Sequence, residues 1–578
     1  MILDLLRSRF ELAVSEFVDD VSEYIDLVRY SQDVRFGDYQ ANIAMPLAKR
    51  LSRKPREVAD EIISRLRIDD ICDSVEVAGA GFINIVLRDS FLAECLCKVL
   101  ADVDRMGIEA VKKPKKFVVD YSGPNVAKPM HVGHLRSTVL GNALTNILRF
   151  RGHSVVTDNH LGDWGTQFGM IIFGYKNYLD ADLYCRQPVE ELSRIYRFVR
   201  GKIDAGDQEV AANVLAETAK LHDGNADNLK IWHEVMPYSM NEIDLIYRRL
   251  GITFDYTLGE SFYHPMLSEV VDDLIGRGIA RETDGAIGIF FDGSDTPMLI
   301  RKKDGAYLYG TTDIATILYR MREFKPDVIL YLTDFRQSLH FEQLFKTARM
   351  MGINEVEFAH VKFGAVLGED GKPFKTRSGD TVGLNGLLDE AEKRALEIVK
   401  SNDRSKLSDD NCNEVAKSIG IGGIIYADLS QNRESDYIFS YDKMLAMNGN
   451  TAAYMQYAYA RVRSIFAKGN IDVKKFRKEV GTDGFKPELK ADAERMLAKE
   501  ILKFGDAIDF AIKDYRPNLL TAYLFELANK YSTFFEQCPV LRAENELTRN
   551  SRLLLCDLTA TTLKKGLELL GIKTVERM

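Results

Sequence analysis

Between Asp120 and His134 the chain reads Asp-Tyr-Ser-Gly-Pro-Asn-Val-Ala-Lys-Pro-Met-His-Val-Gly-His, and its two flanks restrict what can surround it. Before it stands Phe117-Val118-Val119, a short apolar run of strand type. After it, Leu135, Val139, Leu140, Ala143, Leu144, Ile147 and Leu148 recur at three-to-four-residue spacing up to Gly152, where a C-cap glycine would end a helix. Strand, tight turn and helix in this order open a βαβ unit. The helix N-terminus of such a unit offers unpaired N–H groups and a partial positive charge to a phosphate. A nucleoside triphosphate site is therefore expected here.

Each residue of the turn has a physical task if ATP lies there. Gly133 lacks a Cβ, so a base or ribose can approach the backbone. His131 and His134 sit three apart and can point the same way, as donors to phosphate oxygens while pyrophosphate leaves. Lys128 adds positive charge on a loop stiffened by Pro124 and Pro129. Zinc would also suit two histidines at this spacing, but no Cys-x-x-Cys or third clustered ligand accompanies them. No structural metal is expected.

His131-Val-Gly-His134 resembles the His-Ile-Gly-His element of class I aminoacyl-tRNA synthetases, and the run Ser122 to Thr138 resembles arginyl-tRNA synthetases in particular. Phe36-Gly-Asp-Tyr-Gln-Ala-Asn42, Gln456-Tyr-Ala-Tyr-Ala-Arg-Val-Arg-Ser464 and the ending Leu570-Gly-Ile-Lys-Thr-Val-Glu-Arg-Met578 agree, so the resemblance spans the chain. It implies a multidomain α/β protein: an α+β N-terminal domain that contacts tRNA (1–112), a Rossmann-like parallel-sheet catalytic domain (113–390) with an insertion at about 175–300, a connecting helical region (391–449) and an all-α anticodon-binding bundle (450–578). It also implies arginine, ATP with Mg2+, and tRNA(Arg) as partners. A related small-molecule adenylyltransferase would lack the N- and C-terminal additions. A noncatalytic relative would have lost the histidines or the pocket carboxylate.

Composition agrees with several packed globular domains: 578 residues, 46% hydrophobic, 14 prolines. No apolar run is long enough to span a membrane and the N-terminus lacks a secretory pattern, so the cytoplasm is the expected compartment; a monomer is expected as well. Seven cysteines, with only Cys95 and Cys97 close, suggest reduced thiols. The net charge of −9 confines RNA contact to local patches. Lys49, Arg50, Arg53, Lys54 and Arg56 form one basic cluster, and Lys112-Lys-Pro-Lys-Lys116 reads as a linker.

The second half of the sheet resumes at Asp327-Val-Ile-Leu-Tyr-Leu332, a short apolar run of parallel-strand type followed by a helical segment and then by Val356 to Phe363. Gly371-Lys-Pro-Phe-Lys-Thr-Arg-Ser-Gly379 follows, a glycine-bounded basic loop that could close over phosphates. It resembles the family's second ATP element, Lys-Met-Ser-Lys-Ser, with Lys375, Thr376 and Arg377 at its positions and Thr376 in place of a lysine. Lys128, already on the first ATP loop, is the cation expected to compensate.

A site for a guanidinium needs carboxylates and an aromatic wall. Asp120 at the strand end, and Tyr309 and Asp313 at an expected helix start that Thr312 could cap, supply them. By resemblance Tyr309 and Asp313 border the arginine side chain, Asp120 and Asn125 hold the substrate, and Gln337 completes the site. In the last third, Ala452, Met455, Tyr459, Val462 and Phe466 form one helical stripe, and Leu520, Leu524, Leu527, Tyr531 and Phe534 another, both of core type. Tyr457, Arg461 and Arg463 interleave with them and could stack on unpaired bases.

Overall fold

In the computed structural model the described residues are 2–578 other than 127, 373, 375–382, 402–407 and 483. The N-terminal domain wraps the helix Ile2–Val14 around an antiparallel sheet of β1 (Val28–Tyr30), β2 (Tyr39–Ala41), β3 (Cys72–Ala78) and β4 (Phe82–Leu87) in the order β1-β2-β4-β3. Strand alternation explains its core: Ile83, Ile85 and Leu87 of β4 are all buried. The basic cluster that follows β2 is partly spent on its own helix, where Arg53 meets Glu61 at 2.6 Å and Lys54 meets Glu57 at 3.5 Å.

The central sheet contains β5 (Lys116–Asp120), β6 (Ser154–Asn159), β7 (Tyr256–Thr257), β11 (Val328–Tyr331) and β12 (Glu357–His360), all parallel, in the order β12-β11-β5-β6-β7. The chain runs outward from β5 to β7 on one side, then returns to lay β11 and β12 on the other. The topological switch therefore falls between β5 and β11, and a ligand crevice opens beyond their C-terminal ends. Asp120 and Tyr331 lie side by side there.

The expected insertion at about 175–300 is not one piece. Helices from Thr166–Tyr178 to Ala226–Leu250 form a lobe, the chain re-enters the sheet as β7, and only then come the helix Leu267–Gly276 and a second small sheet of β8 (Ala280–Thr283), β9 (Ala286–Ile289) and β10 (Met298–Arg301). A two-residue edge strand is too short to show a period in sequence, which is why β7 escaped the reading.

Helices Leu384–Ser401 and Asp409–Leu429 lead to a C-terminal bundle that includes Ala452–Lys468, Asn518–Gln537 and Glu546–Leu569. Both expected stripes are buried in it. The domains are tied by ion pairs: Arg495 and Lys499 of the bundle both reach Asp38, Arg151 meets Asp509 at 2.6 Å, and buried Arg136 meets buried Asp428 at 3.1 Å. Breaking such a buried pair leaves one charge uncompensated, at a cost of about 3–5 kcal/mol. Among the described residues no helix is long and apolar enough to cross a membrane.

Candidate active site

The turn after β5 is shaped by two left-handed residues, Ser122 (φ 74°) and Gly123 (φ 52°). Ser122 holds this costly conformation because its N–H donates to Ser137 Oγ at 2.8 Å and its hydroxyl bonds Thr138 and Tyr247. The chain then runs through Asn125, paired by its backbone with Gly162, into the helix Val132–Arg151, closed by Gly152 (φ 101°) as expected.

His131 is the N-cap of this helix. Its Nδ1 accepts the Gly133 N–H at 3.0 Å, and His134 Nδ1 accepts the His131 N–H at 3.1 Å, a reciprocal capping pair. An accepting ring nitrogen carries no proton, so each neutral imidazole keeps its proton on Nε2. The rings lie 4.0 Å apart. Burial lowers the pKa of both; for His134, with the charges of His131 and Lys128 adding, it falls to about 3. Both are thus neutral Nε2–H donors at physiological pH. Gly133 has a further reason beyond open approach: a Cβ there would meet the His131 ring at 2.8 Å and break the cap.

Lys375, Thr376 and Arg377 lie outside the described residues. The chain beyond them returns to the histidines: Gly383 bridges His131, and the Leu384 N–H donates to the Met130 carbonyl at 2.9 Å.

On the β11 side, Asp313 lies beyond the first turn of the helix Tyr309–Glu323, so it is not a dipole partner at a helix start. Nor does Thr312 cap: the N-cap is Leu308, and Thr312 sits inside the helix with its carbonyl accepting from Thr316. Asp313 instead accepts from His340 Nε2 at 2.6 Å, and the exposed Tyr309 ring packs edge-on against His340 with centroids 5.2 Å apart. Gln337 ends a short turn, Phe335–Gln337, directly beyond β11.

Asp120 departs from expectation. The fully buried Arg320 donates to its Oδ2 at 2.6 Å and to Asp158 at 2.8 Å, so the strand-end carboxylate already holds a cation of the protein.

The residue that sequence reasoning missed is Glu260, just beyond β7. Burial pushes its pKa up to about 6; the charge of His160 opposes this, while those of Asp163 and Asp313 add to it. Glu260 thus feels the charge of Asp313, and two like carboxylates near one another invite a cation. Gly259 belongs to the same arrangement, because a Cβ there would strike the Asp163 carboxylate at 2.3 Å. Glu260 carries no local motif; the only signal was a Gly-Glu pair after a strand too short to recognise.

In the C-terminal bundle, Tyr457, Arg461 and Arg463 line one cavity of about 1110 Å³ together with Phe535, Arg542 and Glu576. Arg461 lies over the Phe535 ring at 4.1 Å. Arg463 is less available than expected, since Glu576 from the chain's last turn holds it at 3.0 Å.

Among the described residues no group of three His, Cys, Asp or Glu side chains gathers to hold a metal ion.

A helix that opens on two imidazoles at the switch point of a parallel sheet defines the catalytic domain of the class I tRNA synthetases. Residues 96–441 match the family model "tRNA synthetases class I (R), catalytic domain", residues 4–87 match "Arginyl tRNA synthetase N terminal domain", and residues 455–578 match "DALR anticodon binding domain". The chain belongs to the arginyl-tRNA synthetase family. It is 42% identical to the arginine–tRNA ligase of Rhodopirellula baltica, with 100% of this chain and 99% of that one covered. It is 44% identical to that of Shigella sonnei, with 95% of each covered. The solved arginyl-tRNA synthetase of Plasmodium falciparum superposes with a TM-score of 0.84 at 29% identity over 100% of this chain and 99% of that one. The Thermus thermophilus structure shares the fold, with a TM-score of 0.83 at 22% identity and full coverage of both chains.

Proposed function

We propose that the chain is an arginine–tRNA ligase that activates arginine with MgATP and passes the arginyl group to the 3′ end of tRNA(Arg). The observation that carries this is the pair of neutral Nε2–H imidazoles at a helix N-terminus at the switch point of the sheet, in a chain that also sets the half-buried Glu260 carboxylate within reach of the Asp313 charge. The arginine carboxylate attacks the α-phosphorus of ATP and pyrophosphate leaves. Arginyl-adenylate then loses AMP to a ribose hydroxyl of the tRNA terminus. His131 and His134 donate from Nε2 to phosphate oxygens as charge develops, and Lys128 contributes an ammonium. No side chain forms a covalent intermediate; catalysis comes from positioning and charge.

Glu260, Asp313 and Tyr309 would receive the guanidinium, Gln337 and the Asn125 turn the backbone of the amino acid, and the second oxygen of Asp120 its α-amino group. Lys375, Thr376 and Arg377 would close over the phosphates, a reading supported by the Gly383 bridge to His131. Tyr457 and Arg461, with Arg463 in a lesser role, would stack anticodon bases. The helical lobe would meet the acceptor end, and the chain would act as a cytoplasmic monomer.

Occupation of the bundle and the N-terminal domain by tRNA is proposed to favour the competent active site, which requires differential affinity for that state. The test is ATP–pyrophosphate exchange with a panel of amino acids, each with and without tRNA. Exchange is expected with arginine, and only once tRNA(Arg) is present. Exchange with another amino acid would overturn the substrate, and robust exchange without tRNA would overturn the coupling.

A further inference from the structure

A cavity of about 700 Å³ opens beside the histidines, between the ATP loop and the helical lobe, lined by Lys128, His131, Glu190, Arg194, Tyr196 and Glu242. Lys128 has no carboxylate within ion-pair distance among the described residues. Its Nζ lies instead over the ring of Tyr196, 5.4 Å from the centroid. Tyr196 stands on the lobe helix Pro188–Asp204, half-buried against the core. The neighbouring Arg194 is taken up by Glu191 at 2.6 Å.

The difference between a ring and a carboxylate matters for what Lys128 has to do. A carboxylate would fix the ammonium but cancel its charge; an aromatic face attracts it through the ring quadrupole and leaves the charge whole. The ammonium also stands close enough to the histidines for its charge to lower both their pKa values.

We propose that Tyr196 is a positioning residue for catalysis: its ring face holds the Lys128 ammonium, uncancelled, at the edge of the phosphate site. The inference deepens the role given above to Lys128 and rests on it. It also places the support of a catalytic cation on the lobe rather than on the sheet.

The experiment measures ATP–pyrophosphate exchange at saturating tRNA for Lys128→Ala, Tyr196→Leu, Tyr196→Phe and the Lys128→Ala/Tyr196→Leu pair. Leucine keeps the apolar packing and removes the quadrupole. Tyr196→Leu should lower kcat by about 3- to 10-fold with the arginine KM unchanged, as expected for loss of one cation–ring contact. Tyr196→Phe should restore the rate. The double variant should be no slower than Lys128→Ala alone, because the ring then has nothing to hold. Equal damage from phenylalanine and leucine, or undiminished damage from Tyr196→Leu in the Lys128→Ala background, would overturn the positioning role. A harmless Lys128→Ala would instead remove the role of the lysine itself, and the inference with it.

Discussion

The histidine turn is made from one unbroken stretch of chain, whereas the carboxylate pocket is assembled from segments that meet only in the fold. His131, Gly133 and His134 cap one another within a single helical turn. Glu260 follows β7, Asp313 belongs to a helix after the second small sheet, and His340 comes after β11. The turn therefore carries its geometry in local hydrogen bonds, and the pocket carries its geometry in tertiary packing. The first should act through fixed donors that burial favours in the neutral form, the second through carboxylates whose charge depends on their surroundings.

The largest effect is expected in the turn. His134→Ala should lower adenylation by about 10²- to 10³-fold, the range for loss of a preorganised donor to a developing charge, while tRNA binding persists. Loss of the cap should itself lower stability by about 1 kcal/mol; a loss of activity that vanishes when the folded fraction is accounted for would show that the histidine serves only the fold.

In the pocket, Glu260→Gln should raise the arginine KM by about 10- to 100-fold, as expected for loss of one charge-assisted bond, with ATP affinity nearly unchanged. An unaltered arginine KM would remove Glu260 from the site.

Acid should separate the two regions next. The raised pKa of Glu260, about 6, means that its carboxylate is protonated progressively below that pH and ionised above it. Under the proposed role of Glu260 arginine would bind the ionised form, so its affinity should fall by up to about tenfold per unit as pH drops below 6, and Glu260→Gln should remove this slope. His134, lowered to about 3, stays neutral throughout and adds no break of its own. Calorimetric titration of arginine between pH 5 and 8 reads both; a slope that survives the substitution would place the titrating group elsewhere.

The smallest effect is expected at the bundle. Arg463 is engaged by Glu576, so Arg463→Ala should change the tRNA KM by less than about threefold, in keeping with a half-exposed ion pair. Tyr457→Ala, which removes a stacking surface, should cost about tenfold. Reversal of that order would make the guanidinium, not the ring, the anchor.

What could be read from sequence follows the same division. The strand, the turn, the helix to Gly152 and both C-terminal stripes were legible because their information is periodic or contiguous. The parallel run around Val328 was legible as a continuous apolar strand. Arg320 was not: nothing local says that an arginine in the last turn of a helix will be buried against Asp120 and Asp158, and so Asp120 looked free for substrate. The split of the insertion was hidden because β7 is two residues long. Tyr196 was hidden because one aromatic on an amphipathic helix reads as packing until the lysine above it is seen.

The most direct measurement compares pyrophosphate exchange by His134→Ala and Asp313→Asn across arginine and ATP concentrations at saturating tRNA. His134→Ala should lower kcat with the arginine KM nearly unchanged, and Asp313→Asn should raise the arginine KM sharply with ATP affinity nearly unchanged. Both variants changing the same parameter would contradict a division between a phosphate-binding turn and an arginine-binding pocket.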